Sequence, residues 1–179
     1  MSAFAETDKV IAQSIDSIAR SVVKYMSENG LTMCTAESCT GGMIMETVTG
    51  VAGASKMFCG GVCSYTEDVK MRVLGVKKNT LEEHTVYSAE TASEMSAGAL
   101  RLFGCDAACA VTGVAGPGDD LGTKEGTVFV SVRCGERELS KTLRLYEEYE
   151  KLDRNKIRSL TVLRTLGALL ELLETQKER

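Results

Sequence analysis

Tryptophan is absent from this 179-residue chain, and proline and histidine occur once each, as Pro117 and His84. The 5 tyrosines and 4 phenylalanines do not alternate with basic residues, which argues against a stacking platform for single-stranded nucleic acid. A basic excess is missing too. The 21 lysines and arginines stand against 25 aspartates and glutamates, a formal charge of −4, so nothing resembles the footprint of a protein that neutralises a phosphate backbone. No apolar run approaches the ~20 residues that span a bilayer. The opening Met1-Ser2-Ala3-Phe4-Ala5-Glu6 has neither a basic n-region nor an apolar h-region. The expectations are therefore no nucleic-acid partner, no membrane and a cytoplasmic location.

What is present is ordinary for a soluble globular protein: 44% apolar and 26% charged residues, in a length that suits one domain over residues 1–179. Cysteine is the exception, with 7 residues, an odd number, and no C-x-x-C spacing. Cys59/Cys63 and Cys105/Cys109 lie four apart in segments that read as strands. That separation is roughly 13 Å along one face, too far for two ligands of one zinc ion. Buried, reduced thiols are the expectation, and no metal site.

Apolar residues at helical spacing (Ile11, Ile15, Ile18, Val22, Tyr25/Met26) predict a first helix ending at Asn29-Gly30. Residues 31–37 read as a strand, followed by a turn of small residues, Ser38-Cys39-Thr40-Gly41-Gly42, and a helix from Met43. Residues 58–65 form a second strand. Thr66 then caps a helix that ends near Gly75, with Glu67 and Asp68 in its first turn. Asn79-Thr80-Leu81-Glu82 has the shape of a capping box opening a short helix to His84, and a longer helix covers 89–103. Residues 105–112 are a short apolar run and read as a buried strand. The least regular stretch, 113–120, precedes a strand at 126–132. A turn at 134–137 leads into alternating Leu139, Leu143 and Leu145. Asp153 caps a last helix whose leucines cover a wide arc, wide enough for the sheet and a partner subunit, hence a homodimer. This order predicts an α/β fold, three-layer α/β/α with a mixed, partly parallel sheet. Ligands in such folds bind beyond the carboxyl ends of the parallel strands, which selects the loops 38–42, 65–70 and 113–120.

Ser38 is the first candidate for chemistry. A serine between strand and helix is commonly the helix cap. Yet the N–H groups of Thr40, Gly41 and Gly42 at a helix N-terminus suit a phosphate or a developing oxyanion. Cys39 is the rival nucleophile, with a thiol pKa that a helix N-terminus lowers. His84, at the end of a short helix, suits a surface role better than that of a catalytic base. The alternative base is Lys70, with Tyr65 able to relay a proton. Against this, Glu67 and Lys70 are i,i+3 neighbours, and a solvated ion pair there would keep the lysine charged. Asp119 and Asp120 suit sugar hydroxyls or bulk water better than phosphate.

Three stretches in order, Thr35-Ala36-Glu37-Ser38-Cys39-Thr40-Gly41-Gly42, Gly60-Gly61-Val62-Cys63-Ser64-Tyr65 to Lys70, and Val111-Thr112-Gly113-Val114-Ala115-Gly116-Pro117, resemble the C-terminal domain of the competence/damage-inducible CinA proteins. Leu74-Gly75-Val76 and the segment from Arg154 to Arg158 extend the likeness. The resemblance implies a nicotinamide-nucleotide amidohydrolase, converting nicotinamide mononucleotide and water to nicotinic acid mononucleotide and ammonia, with no metal or redox cofactor. It makes Ser38 the nucleophile and assigns general acid/base work to Tyr65 and Lys70. It puts Ala36, Cys39, Thr40, Gly41, Gly42, Thr112, Gly113, Gly116 and Arg158 in substrate-binding segments. In longer relatives the domain follows a molybdopterin-binding-like domain, whose chemistry is not expected here. A silent nucleotide-binding module on the same fold, or a serine amidase for a different amide, are the alternatives. Relatives often continue Gly-Pro with further glycines, where this chain has Gly118-Asp119-Asp120.

Overall fold

The computed structural model describes residues 3–175; Met1 and Ser2, on which part of the leader argument rests, lie outside it. In chain order the main elements are α1 (Ala3–Glu28), β1 (Met33–Glu37), α2 (Met43–Thr49), β2 (Phe58–Cys63), α3 (Glu67–Val69) running into a π-helical turn (Lys70–Leu74), α4 (Lys78–His84) and α5 (Ala89–Phe103). Then come β3 (Ala107–Gly113), β4 (Thr127–Cys134), β5 (Arg137–Arg144), α6 (Leu145–Glu148) and α7 (Arg154–Glu174). The five strands form one sheet in the order β2-β1-β3-β4-β5. β1 is parallel to both β2 and β3, while β4 and β5 continue antiparallel. The sheet is mixed, as expected.

Period-two alternation sorts the core into two clusters. From β3, Ala107, Cys109 and Val111 pack with α1, α2 and α7, whereas Ala108 and Ala110 pack with α5 and Leu74. Helices on both faces complete three layers. The same alternation in β1 sends Met33 to the α7 side and Cys34 and Ala36 to the α5 side. Continued past the strand, it aims Glu37 at α2 and Ser38 at the side where the π-turn packs.

That turn is seated by Gly98 of α5. A Cβ there would meet the Leu74 carbonyl oxygen at 1.9 Å, so the helix touches the backbone of the turn that carries Lys70. Thr66 caps α3 as expected, accepting from Val69 N at 3.3 Å. Asp153 does the same for α7 from Lys156 N at 2.8 Å.

Several expectations are corrected. The capping box at Asn79 does not form: α4 starts at Lys78, and Glu94 of α5 takes over its N-terminus, accepting from Lys77 N (2.7 Å) and Thr80 Oγ1 (2.9 Å). β2 stops at Cys63, so Ser64 and Tyr65 lie beyond the sheet. Most of the wide arc of α7 packs against α1, α2 and the sheet of the same chain, while Leu163 and Leu170 are only partly buried. Cysteine burial holds for Cys34, Cys39, Cys109 and Cys134, whereas Cys59 and Cys63 on β2 are exposed because β2 is an edge strand. Among the described residues, no helix is long and apolar enough to cross a membrane.

Candidate active site

The three loops selected from the sequence meet. Ser38, Cys39, Tyr65, Thr66, Glu67 and residues 113–120 line one cleft of about 550 Å³, with Val86, Tyr87, Leu121 and Arg154 completing its wall. That volume suits a small-molecule ligand. The cleft opens at the carboxyl ends of the parallel strands β1 and β2.

The turn 38–42 is held from below by Glu37, a fully buried carboxylate. Its Oε2 accepts from Gly42 N (3.1 Å) and Ile44 N (2.9 Å), and its Oε1 from Met45 N (2.9 Å). The N-terminus of α2 is therefore filled by the protein's own carboxylate. This corrects two expectations. Ser38 does not cap the helix, because the cap position is Gly42, in the left-handed region at φ 96° with no side-chain bond. Gly41 and Gly42 do not offer their amides to a ligand either: Gly41 N donates to Ser38 O, and Gly42 N to Glu37. Among the described residues, the amides of Cys39 and Thr40 are the ones in this turn given neither a backbone carbonyl nor a carboxylate as acceptor. Glu37→Gln would oppose an amide N–H₂ to one of these backbone donors. The expected cost is about 2–3 kcal/mol, read as a lower unfolding midpoint in denaturant.

Lys70 has no exposed surface. Its Nζ donates to Ser38 Oγ at 3.0 Å and to the Ser64 carbonyl at 2.7 Å, and it makes no ion pair with Glu67. The solvated Glu67–Lys70 pair is thus not formed, because the π-turn and α5 draw the lysine inward. Burial lowers its pKa from 10.5 to about 8, against the weaker pull of Cys39, Glu67 and Cys63. Cys39 goes the other way to its expectation. Burial pushes its thiol up to about 12, so it stays protonated at neutral pH.

Tyr65 stands at the rim, 57% exposed, and its hydroxyl accepts from Arg154 Nη2 at 2.8 Å. Arg154 also donates to the Gly116 carbonyl and so bridges two walls of the cleft. Gly116 sits at φ 75°, and a Cβ there would meet Glu125 Oε1 at 2.0 Å. A cis peptide joins it to Pro117.

Other residues selected from the sequence stand behind the cleft. Ala36 is buried in the sheet, and Thr112 Oγ1 donates to Val86 O at 2.8 Å. Thr40 is buried as well. Arg158 clamps the Ser38 turn from α7, donating to the Thr40 carbonyl through Nη2 (2.8 Å) and Nε (3.2 Å). Gly113, Gly116 and Cys39 do line the cleft, whereas His84 does not. Sequence reasoning did not select Glu37, Tyr87 or Arg154 as site residues. A buried acid directly before a glycine-rich helix start was the signal for Glu37. Arg154 had only its place one residue after a helix cap.

The fold and the cleft define a class: an α/β/α domain whose ligand cleft, at the ends of parallel strands, is floored by a serine touching a buried lysine. Within that class the chain belongs to the CinA C-terminal domain family, whose model matches residues 15–173. It is similar to the competence/damage inducible protein CihA of Agrobacterium tumefaciens, at 35% identity and a TM-score of 0.83 over 90% of this chain and 96% of that one. A CinA superfamily protein of Klebsiella pneumoniae 700603 gives a TM-score of 0.84 at 29% identity, covering 90% and 98%. A CinA-like protein of Kosmotoga olearia is 39% identical over 145 residues, which is 80% of this chain and 34% of that relative. The chain spans about a third of the length of the curated relatives it matches.

Proposed function

We propose that the chain is a nicotinamide-nucleotide amidohydrolase, releasing ammonia from nicotinamide mononucleotide by way of a serine-bound acyl intermediate. The observation that carries the reading is the 3.0 Å contact between Ser38 Oγ and a fully buried Lys70 Nζ whose pKa is lowered to about 8. A silent binding module would have no use for a lysine desolvated onto a serine, so the geometry favours the enzyme.

In this reading neutral Lys70 takes the Ser38 proton as Oγ attacks the carboxamide carbon. The carbonyl oxygen becomes an oxyanion held by the Cys39 and Thr40 amides. The C–N bond then breaks, and the nitrogen leaves as ammonia after taking the Ser38 proton from Lys70, directly or relayed through Tyr65, which returns Lys70 to its neutral form. Water attacks the acyl carbon, gives its proton to Lys70, and Ser38 leaves with a proton as the acid is freed. With α2 closed by Glu37, the substrate phosphate goes to Arg154, the one cation among the residues that line the cleft.

The test is direct. Purified protein incubated with nicotinamide mononucleotide should yield ammonia and nicotinic acid mononucleotide in equal amounts, resolved by chromatography. Binding of the nucleotide without turnover would replace the proposal with the silent module. Turnover of simple amides at the same efficiency would replace it with a general amidase.

A further inference from the structure

The two adjacent acids of the 113–120 loop have different surroundings. Asp119 is committed to the loop: its Oδ1 accepts from Glu125 N (2.8 Å), and Glu125 Oε2 in turn accepts from Gly118 N (2.8 Å). Asp120 reaches across the cleft instead. Its Oδ2 accepts from the Tyr87 hydroxyl at 2.6 Å, a bond between loops 33 positions apart, and among the described residues no donor is assigned to Oδ1. The Asp120 backbone is fixed by paired bonds with Thr123, at 3.0 and 2.8 Å. Asp120 and Tyr87 both line the same cleft as Ser38.

Tyr87 shares the lining of this cleft with Tyr65 and Cys39. Burial, and then the Asp120 bond, push its pKa up, so it remains a donor at neutral pH. Tyr87 thereby holds one carboxylate oxygen and leaves the other to a ligand. A carboxylate on a cleft wall repels phosphate and suits the hydroxyl donors of a sugar, as acidic residues do for ribose in dinucleotide sites. Arg154, bonded to Tyr65 in the same cleft lining, is the group that suits an anion.

We propose that the Asp120 carboxylate, positioned by Tyr87, accepts hydrogen bonds from the ribose hydroxyls of a nucleotide substrate. The inference rests on the amidohydrolase reading and adds to it the source of ribose selectivity. A site built to bond a hydroxyl rejects the analogue that lacks it, because its own polar group is left unpaired.

The experiment compares ammonia release from nicotinamide mononucleotide and from its 2′,3′-dideoxyribose analogue. Wild-type kcat/KM should favour the ribonucleotide by at least about tenfold. In Asp120→Asn that ratio should collapse to about one. Tyr87→Phe, which breaks the loop-to-loop bond but keeps the carboxylate, should still discriminate. A ratio unchanged in Asp120→Asn, with both substrates slowed alike, would make the pair a structural latch and overturn the inference. So would a wild-type ratio near one. In either case the amidohydrolase reading stands, whereas absence of ammonia from every nucleotide amide removes both.

Discussion

Under the proposed reaction, Ser38→Ala should lose ammonia release by at least about a thousandfold while keeping the wild-type unfolding midpoint. The expected size follows from what the hydroxyl does. In the proposed reaction it is the atom that bonds to substrate, with no neighbour to stand in for it. Cys39, next in the chain, carries a thiol that burial holds at about 12, so its thiolate is scarce at neutral pH. The fold should tolerate the change because Ser38 does not cap α2: Glu37 does, through three backbone amides. Deleting Oγ removes one acceptor of Lys70 and leaves the lysine its bond to the Ser64 carbonyl. Steady-state ammonia assays beside denaturant unfolding read both halves. A fully active Ser38→Ala protein with an inactive Cys39→Ala protein would mean that the nucleophile is misassigned.

Lys70→Met separates catalysis from stability. Loss of the proposed general base should lower kcat/KM by about 10²–10⁴-fold. In the wild type, kcat/KM should rise with pH and level off above about 8, where the free enzyme's Lys70 has lost its proton. Stability moves for a different reason. The folded pKa is lowered from 10.5 to about 8, so between these values the unfolded chain binds more protons than the folded one. Stability of the wild type therefore increases across that window, and below it the full cost of burying an ammonium is present. The shift corresponds to about 3 kcal/mol. Lys70→Met has no such proton to lose. Its stability relative to wild type should be more favourable at pH 7 than at pH 10.5 by about that amount, as read by denaturant unfolding at the two pH values. Equal differences at both would show that the lysine titrates normally.

Features decided by a few neighbouring residues were legible in the sequence: the Thr66 and Asp153 caps, the small-residue turn after β1, and the tight turn at Gly135-Glu136 between β4 and β5. The convergence of three loops was legible too, because parallel strands leave their carboxyl ends on one side. Partner choice was not. The i,i+3 rule pointed Lys70 at Glu67, but a π-turn pressed against Gly98 turned it to Ser38. Asn79 and Glu82 fitted a local capping box, yet Glu94 of a neighbouring helix displaced it. Arg154 and Tyr87 reach the cleft from segments far from Ser38 in the chain, and nothing short-range announces such a meeting. Glu37 was the readable omission: period two places it opposite Ser38, facing the helix it caps.

The uneven exposure of the thiols has a practical use. Four of the seven cysteines are sealed in the interior, and Cys59 and Cys63 lie open on β2. Cys105 is half-buried, so a thiol-specific dye reaches two or three groups on the native chain and all seven on the unfolded one. The same measurement certifies, in any inactive variant, that what was lost is chemistry and not structure.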